Sequence, residues 1–326
     1  MKRLLIVKTS SMGDVVHALP TVTDLRRVFP GIEIDWVVER PFAALPALHQ
    51  GVRRVLPMAW RKWRKQLGQR ETRDQIRAFR AELQRDDYDA VLDLQGLFKS
   101  VMWGLQARGP LVGYDSKSLR EPLAALFYRR TARVSRQLQA VDRCRQLSAG
   151  LFGYAIDPTQ RPDFGLRDSP VPDSSWLPGE LHATLIPCAS RPEKFWPEEH
   201  WIAIGNLYRA RGWRPVVIWG SPAEEAMARR IAEGCNGLVP PFLKVGEMAA
   251  VLAGTQQIVG LDTGFTHLGA AYGIDTVGIY CDHEPGLAGV TGPGQVTSLG
   301  GKGLRPSLEA VMTALTDQWS SSRRGG

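Results

Sequence analysis

The segment Leu4-Leu-Ile-Val-Lys8-Thr-Ser10-Ser11-Met-Gly13-Asp14-Val-Val-His17 carries a short apolar run into small polar residues, a glycine and then a carboxylate. The pattern predicts a buried strand that turns sharply into a helix, with Asp14 on the turn. A carboxylate there can cap the free backbone N–H groups of the helix start. It can also project from the carboxyl edge of the sheet, where open α/β folds bind their ligands. Spacing alone leaves both roles open. Asp89-Ala-Val-Leu-Asp93-Leu-Gln95-Gly96-Leu-Phe-Lys99-Ser100 repeats the strand, glycine turn and helix, so Asp93, Gln95 and Lys99 would share an edge with Asp14. Asp93 alternatively only bonds nearby backbone. Arg120, before Glu121-Pro122, could bring a guanidinium to a helix start or be an ordinary surface arginine.

Between residues 53 and 85 eleven Lys/Arg face three acids, and within that stretch Trp60-Arg61-Lys62-Trp63-Arg64-Lys65 interleaves two indoles with four cations. A solvated helix face with its tryptophans turned inward is one reading. An element that meets phosphates or a membrane surface is the other, because indoles suit bilayer interfaces and guanidinium forks suit phosphate.

Further along, Ala183-Thr-Leu-Ile-Pro-Cys188-Ala189-Ser190-Arg191-Pro192-Glu193-Lys194-Phe-Trp-Pro197-Glu198-Glu199 ends a strand in small and charged residues before a helix. Pro197 suits a first-turn position, and Glu198 and Glu199 suit the positive end of the helix dipole. Lys194 is left in the loop, solvated or in reach of a phosphate. Glu224, after Val216-Val-Ile-Trp-Gly220, could cap a helix or accept from ribose hydroxyls. Ile258-Val-Gly-Leu-Asp262-Thr263-Gly264-Phe-Thr266-His267 places small residues between a strand and an Ala-rich helix, a start whose N–H groups attract a diphosphate. His267 is a packing residue or a phosphate donor. There is no Walker loop and no G-x-G-x-x-G after the first strand, and no H-E-x-x-H or Cys/His spacing indicates a metal.

The elements that must hold these residues alternate. Strand-like runs at Leu4–Val7, Ile32–Val38, Ala90–Leu94, Ala183–Pro187, Pro215–Trp219, Ile258–Leu261 and Thr276–Tyr280 are mostly followed by helical patterns, which implies βαβ units and parallel sheets. At 326 residues the chain is long enough for two domains. The Pro-, Asp- and Ser-rich stretches at 156–163 and 168–175 mark the expected linker. The tail from Ser320 reads as frayed.

Charge divides the same way: residues 1–178 hold 29 Lys/Arg against 19 Asp/Glu, residues 179–326 hold 12 against 14, and the whole chain is +8. A basic front half points to an anionic partner. No RNA-binding signature, zinc-finger spacing or helix-turn-helix pattern favours nucleic acid. Four scattered cysteines fit a reducing compartment. The opening apolar run, broken by Lys8, is too short for a signal peptide, and no apolar stretch is long enough to span a bilayer. Two α/β halves, an acid in one and a diphosphate-type loop in the other, describe a nucleotide-sugar glycosyltransferase with a cleft between its halves.

Taken together, Lys8-Thr-Ser-Ser-Met-Gly-Asp14-Val-Val-His17-Ala-Leu-Pro20, Asp35-Trp-Val-Val-Glu39, Trp60 to Lys65, Leu94-Gln-Gly-Leu-Phe-Lys-Ser100, Arg120-Glu-Pro-Leu, Lys194-Phe-Trp-Pro-Glu-Glu-His-Trp201 and Asp262-Thr-Gly-Phe-Thr-His267 resemble the lipopolysaccharide heptosyltransferase I family, within glycosyltransferase family 9. The likeness runs to near residue 315, and the Lys-Thr-Ser-Ser-Met-Gly-Asp form resembles the first heptosyltransferase rather than the second. It implies a GT-B fold: an acceptor-binding Rossmann-like domain over 1–165 and an ADP-sugar-binding one over 175–326, facing a central cleft, with the C-terminal helix able to pack back on the first.

The same likeness implies inverting, metal-independent and cofactor-free transfer of heptose from ADP-L-glycero-D-manno-heptose to the inner Kdo of Kdo2-lipid A. The enzyme would be cytoplasmic and peripheral on the inner membrane. Asp14 becomes the base. Ser190, Lys194, Glu224, Asp262, Thr263, Gly264 and His267 fall on the donor side, and Ser10, Ser11, Arg61, Lys62, Arg64, Lys65, Gln95, Lys99 and Arg120 on the acceptor side. A heptosyltransferase using a heptosylated acceptor and a nucleotide-sugar epimerase of the same architecture are the alternatives. Two departures from the family form stand out: Ala189-Ser190 replaces a Thr-Thr pair, and Tyr280-Cys-Asp-His-Glu-Pro285 replaces a Gly-Pro-Thr-Asp-Pro form.

Overall fold

The computed structural model describes residues 1–167, 175–177, 179, 181–189 and 191–322, with Ser322 described by its backbone alone. The chain divides into two units, Met1–Arg167 and Asp168–Gly326. The second half of the expected linker, 168–174, lies outside the described residues. The first half belongs to the front unit, where Gln160 accepts a hydrogen bond from Arg27 at 3.2 Å.

In the front unit the order is β1 (Arg3–Val7), α1 (Met12–Val28), β2 (Glu33–Glu39), α2 (Ala44–Leu48), β3 (Val52–Met58), α3 (Trp60–Trp63), α4 (Arg70–Leu83), β4 (Ala90–Asp93), α5 (Phe98–Gly104), β5 (Leu111–Tyr114), β6 (Arg130–Ala132) and α6 (Ala140–Phe152). The six strands form one parallel sheet in the order β3-β2-β1-β4-β5-β6. Leu4, Leu5, Ile6 and Val7 are fully buried, as a central strand covered by helices on both faces requires. Helices α1 and α6 are tied by a buried pair, Arg145 donating to both oxygens of Asp24 at 2.7 and 3.1 Å. The bidentate geometry satisfies two charges that would otherwise be costly to bury.

The rear unit runs β7 (His182–Ile186), α7 (Glu198–Ala210), β8 (Arg214–Val217), α8 (Pro222–Cys235), α9 (Val245–Ala253), β9 (Gln257–Leu261), α10 (Gly264–Ala271), β10 (Asp275–Tyr280), α11 (Pro285–Ala288), β11 (Val296–Gly300) and α12 (Leu308–Ser322). Its five strands, also parallel, take the order β11-β10-β9-β7-β8. Trp201, Ile204, Tyr208, Ile231, Val259 and Val277 are fully buried between the sheet and its helices. Pro197 caps α7 from one place outside it, so Glu198 and Glu199 still occupy the first turn. Helix α12 lies against β10 and β11. It continues through Ser320–Ser322, where fraying was expected; residues 323–326 lie outside the described residues.

His49, buried to 1% exposure, holds the front unit's α2–β3 turn. Its Nδ1 accepts from Gly51 N at 2.9 Å, so the neutral ring carries its proton on Nε2, 3.0 Å from Thr23 Oγ1. Burial moves its pKa from the ordinary 6.5 to about 4. The unfolded chain therefore binds the extra proton first. Stability is full above pH 6.5 and falls as pH drops toward 4, by about 3 kcal/mol in all. Urea titrations at pH 7 and 4.5 should show this loss, and His49→Gln should lose less over the same interval.

Candidate active site

In each sheet the chain first builds outward on one side and then crosses to the other, which leaves a switch point where neighbouring loops diverge and ligands bind. In the front sheet it lies between β1 and β4, and in the rear sheet between β7 and β9. Ser10, Ser11, Asp14, Gln95 and Lys99 collect at the first and Lys194, Asp262, Thr263, Gly264 and His267 at the second, whereas Arg61, Lys62, Arg64 and Lys65 follow β3, Arg120 follows β5 and Glu224 follows β8.

At the front switch point Asp14 is the third residue of α1, and Ser11 is the N-cap. Asp14 Oδ2 accepts from Ser11 N and Ser11 Oγ, both at 2.8 Å, so the capping role is realised. The carboxylate is nevertheless 44% exposed, and Oδ1 lies 3.7 Å from the Lys8 ammonium. Desolvation pushes the carboxyl pKa upward, but the Lys8 charge and the Ser11 bonds together hold it below the usual range. Asp14 is thus fixed, ionised and open to a ligand.

Lys8 is 7% exposed and donates to Leu94 O at 3.1 Å. Gln95 Oε1 accepts from Thr9 N and Ser10 N at 3.0 and 3.2 Å, and Lys99 Nζ donates to Ser10 Oγ at 2.9 Å. Gln95 therefore pins the loop that carries Ser10, Ser11 and Asp14. Asp93 is fully buried and faces no ligand. It accepts from Gln95 N, Gly96 N, Ser100 Oγ and Tyr128 OH, which shapes the β4–α5 turn.

Trp60 and Trp63 turn inward, against Trp103 and Phe79, and Trp63 Nε1 donates to Gln75 Oε1 at 2.8 Å. Trp63 is therefore a packing residue, while Trp60 packs on Trp103 and stays part-exposed. Arg61, Lys62, Arg64 and Lys65 are all exposed. Arg53 and Arg54, by contrast, lie on β3 and serve structure, binding the buried Asp35 and also Asp86. Arg120 is exposed, just before a 3-10 turn at Pro122–Phe127.

Sequence reasoning missed two front residues. Lys8 breaks the apolar run and heads the family motif, but the sequence reading gives it no role of its own, although a lysine directly after a buried strand is itself a signal. Glu39, at the end of β2 and 4% exposed, accepts from Arg61 N at 3.2 Å. Burial raises its pKa, opposed by Arg61, Lys99 and Arg64. Desolvation lowers that of Lys99, as do Arg61 and Lys8, against the pull of Glu39 and Asp14.

At the rear switch point Lys194 Nζ donates to Asp262 Oδ2 at 2.6 Å and to Asp262 O at 3.0 Å, and His267 Nε2 lies 3.1 Å from Asp262 Oδ1. Burial would raise the Asp262 carboxyl pKa, but His267 and Lys194 hold it well below the carboxylate range. Thr263 is the N-cap of α10 and Gly264 its first residue, so the opening N–H groups of that helix have no intrahelical acceptor. Ser221 caps α8, its hydroxyl accepting from Glu224 N, and Glu224 Oε2 accepts from Gly220 N at 3.0 Å, one place before the cap. Ser190 lies outside the described residues.

The model of glycosyltransferase family 9 (heptosyltransferase) matches residues 76–314. The chain belongs to this family. It is 42% identical over 296 residues to lipopolysaccharide heptosyltransferase 1 of Escherichia coli K12, covering 90% of this chain and 92% of that one. The heptosyltransferase 1 of Pseudomonas aeruginosa is 42% identical over 297 residues, covering 90% and 82%. Among solved structures, E. coli heptosyltransferase WaaC with ADP matches with a TM-score of 0.88 at 39% identity, over 97% of this chain and 99% of that one. The same enzyme with ADP-2-deoxy-2-fluoro heptose matches at 0.84 and 37%, with the same coverage. The expected GT-B architecture of two parallel-sheet α/β domains holds, and the chain is a glycosyltransferase of the heptosyltransferase kind.

Proposed function

We propose that this enzyme transfers L-glycero-D-manno-heptose from ADP-heptose to the inner Kdo of Kdo2-lipid A, without a metal ion and with inversion at the anomeric carbon. The observation that carries the reading is Asp14. It is an ionised, part-exposed carboxylate fixed at a sheet switch point, in a chain 42% identical to lipopolysaccharide heptosyltransferase 1. Asp14 accepts the proton of the Kdo hydroxyl as that oxygen attacks the anomeric carbon from the face opposite ADP. Its low basicity is no obstacle, because the hydroxyl becomes acidic as the new bond forms and positioning supplies much of the gain.

Lys194, His267 and the first N–H groups of α10 receive the charge that develops on the departing diphosphate, with Thr263 and Gly264 allowing its close approach. Asp262 orients Lys194 and His267. Glu224 accepts from the ribose hydroxyls through the oxygen not bonded to Gly220, and Ser190 adds a hydroxyl for phosphate.

On the acceptor side, Ser10, Ser11 and Lys99 border Asp14, with Gln95 holding their loop. Arg61, Lys62, Arg64, Lys65 and Arg120 meet the carboxylates and phosphates of Kdo2-lipid A. Among the described residues no helix is long and apolar enough to cross a membrane. Exposed Phe98, Leu123, Leu126 and Phe127, beside exposed Arg120 and Arg129, support peripheral contact with the cytoplasmic face of the inner membrane.

The deciding experiment incubates purified protein and ADP-heptose with Kdo2-lipid A, with heptosyl-Kdo2-lipid A, or with no acceptor. Products are read by mass spectrometry and anomeric NMR. One heptose added to Kdo2-lipid A, in the inverted configuration and undiminished by EDTA, is expected. Product only on the heptosylated acceptor would identify a later-acting transferase, and conversion of the donor alone an epimerase.

Replacing Arg61, Lys62, Arg64 and Lys65 together by serine should raise the acceptor KM roughly ten- to hundredfold and leave the donor KM unchanged. Initial rates with each substrate varied in turn check this; a change confined to the donor removes the acceptor role.

A further inference from the structure

Asp282 lies in the loop after β10. Its carboxylate is 12% exposed. Oδ2 accepts from Arg191 Nη2, and Oδ1 lies 3.9 Å from Lys194 Nζ, beyond hydrogen-bond distance. Two cations of the rear site thus face two carboxylates, Asp262 and Asp282, and their charges cancel.

The two acids are not equivalent. Asp262 is built into its turn: it holds Lys194 through both carboxylate and backbone carbonyl, and bonds His267 as well. The hydrogen bond of the Asp282 carboxylate goes to Arg191, a 60% exposed side chain on the β7–α7 loop. An anion arriving at Lys194 finds Asp282 the easier of the two to displace.

We propose that Asp282 is an internal counter-ion of the donor site: it occupies Arg191 and screens Lys194 when the diphosphate is absent, and must give way when it binds. The inference rests on the reading of the Lys194 site as the ADP site. Physically, Asp282 keeps two cations neutralised in the empty enzyme and competes with the diphosphate for them, so it weakens ADP binding and speeds release of that product.

Isothermal titration with ADP tests this on the full chain and on Asp282→Asn and Asp282→Ser, with melting temperatures measured alongside. Both variants should bind ADP about five- to tenfold more tightly at low salt, the scale of one unit charge removed from near a phosphate. The gap should narrow at high salt. Equal or weaker binding by variants that melt like the parent overturns the proposal, because Asp282 would then merely orient Arg191 for the ligand. If one variant melts early, the other decides by the same criterion. If neither parent nor variants bind ADP, the donor-site reading itself falls, and the counter-ion with it.

Discussion

Asp14→Asn is expected to lower kcat by about 10²–10⁴-fold, the range that a positioned general base contributes. The substitution keeps the size of the side chain, and the amide oxygen can still accept from Ser11 N, so α1 should start where it does now. What is lost is the charge and the ability to take a proton. The dissociation constant for ADP should stay within a factor of two or so, because Asp14 belongs to the front unit and the Lys194 cluster to the rear one. The decisive comparison pairs single-turnover rates with ADP titration of the same preparation. Normal turnover at saturation with weakened ADP binding would falsify the assignment. The pH profile is a second readout. Since Lys8 and Ser11 hold the carboxyl of the free enzyme below its ordinary range, the acid limb of kcat/KM in the parent should lie below where an ordinary carboxylate titrates.

Lys194→Ala is expected to raise the ADP dissociation constant by about 10- to 100-fold, the value of a charge-assisted hydrogen bond in a part-buried site. It also leaves the Asp262 carboxylate, otherwise held by Lys194 and His267, with one cationic partner fewer and a phosphate to repel. Affinity for the donor and rate of transfer should therefore fall together, unlike the Asp14 variant. Titration of both variants with ADP in one buffer separates the roles. Unchanged ADP affinity in Lys194→Ala would place the diphosphate elsewhere.

Most of the architecture could be read from the chain because buried parallel strands such as Leu4–Val7 and Ile258–Leu261 are continuous apolar runs that end in turn residues. The strand Val52–Met58 escaped that reading. Arg53 and Arg54 made it look like the start of a basic helix, and only the fold shows both guanidiniums returning to Asp35 and Asp86. Short strands at Leu111–Tyr114, Arg130–Ala132 and Val296–Gly300 also escaped, since pairing with neighbours and not local pattern defines them.

The chemical residues were legible for a different reason: strand, glycine and polar residue in succession mark a sheet edge whatever the tertiary context. What the pattern could not distinguish was duty. Asp93 ends a strand and Asp14 follows one of the same kind, yet the first is sealed under four donors and the second stands open, a difference completed by Tyr128 from 35 positions along the chain. Asp282 acquires its role through a partner 91 positions away, beyond any local rule.

The division of labour along Trp60–Lys65 has a corollary. Because Trp63 is buried against Phe79 and Trp103 while the side chains of Lys62, Arg64 and Lys65 are exposed, the charge of this segment can change at those three positions without disturbing the packing beneath it.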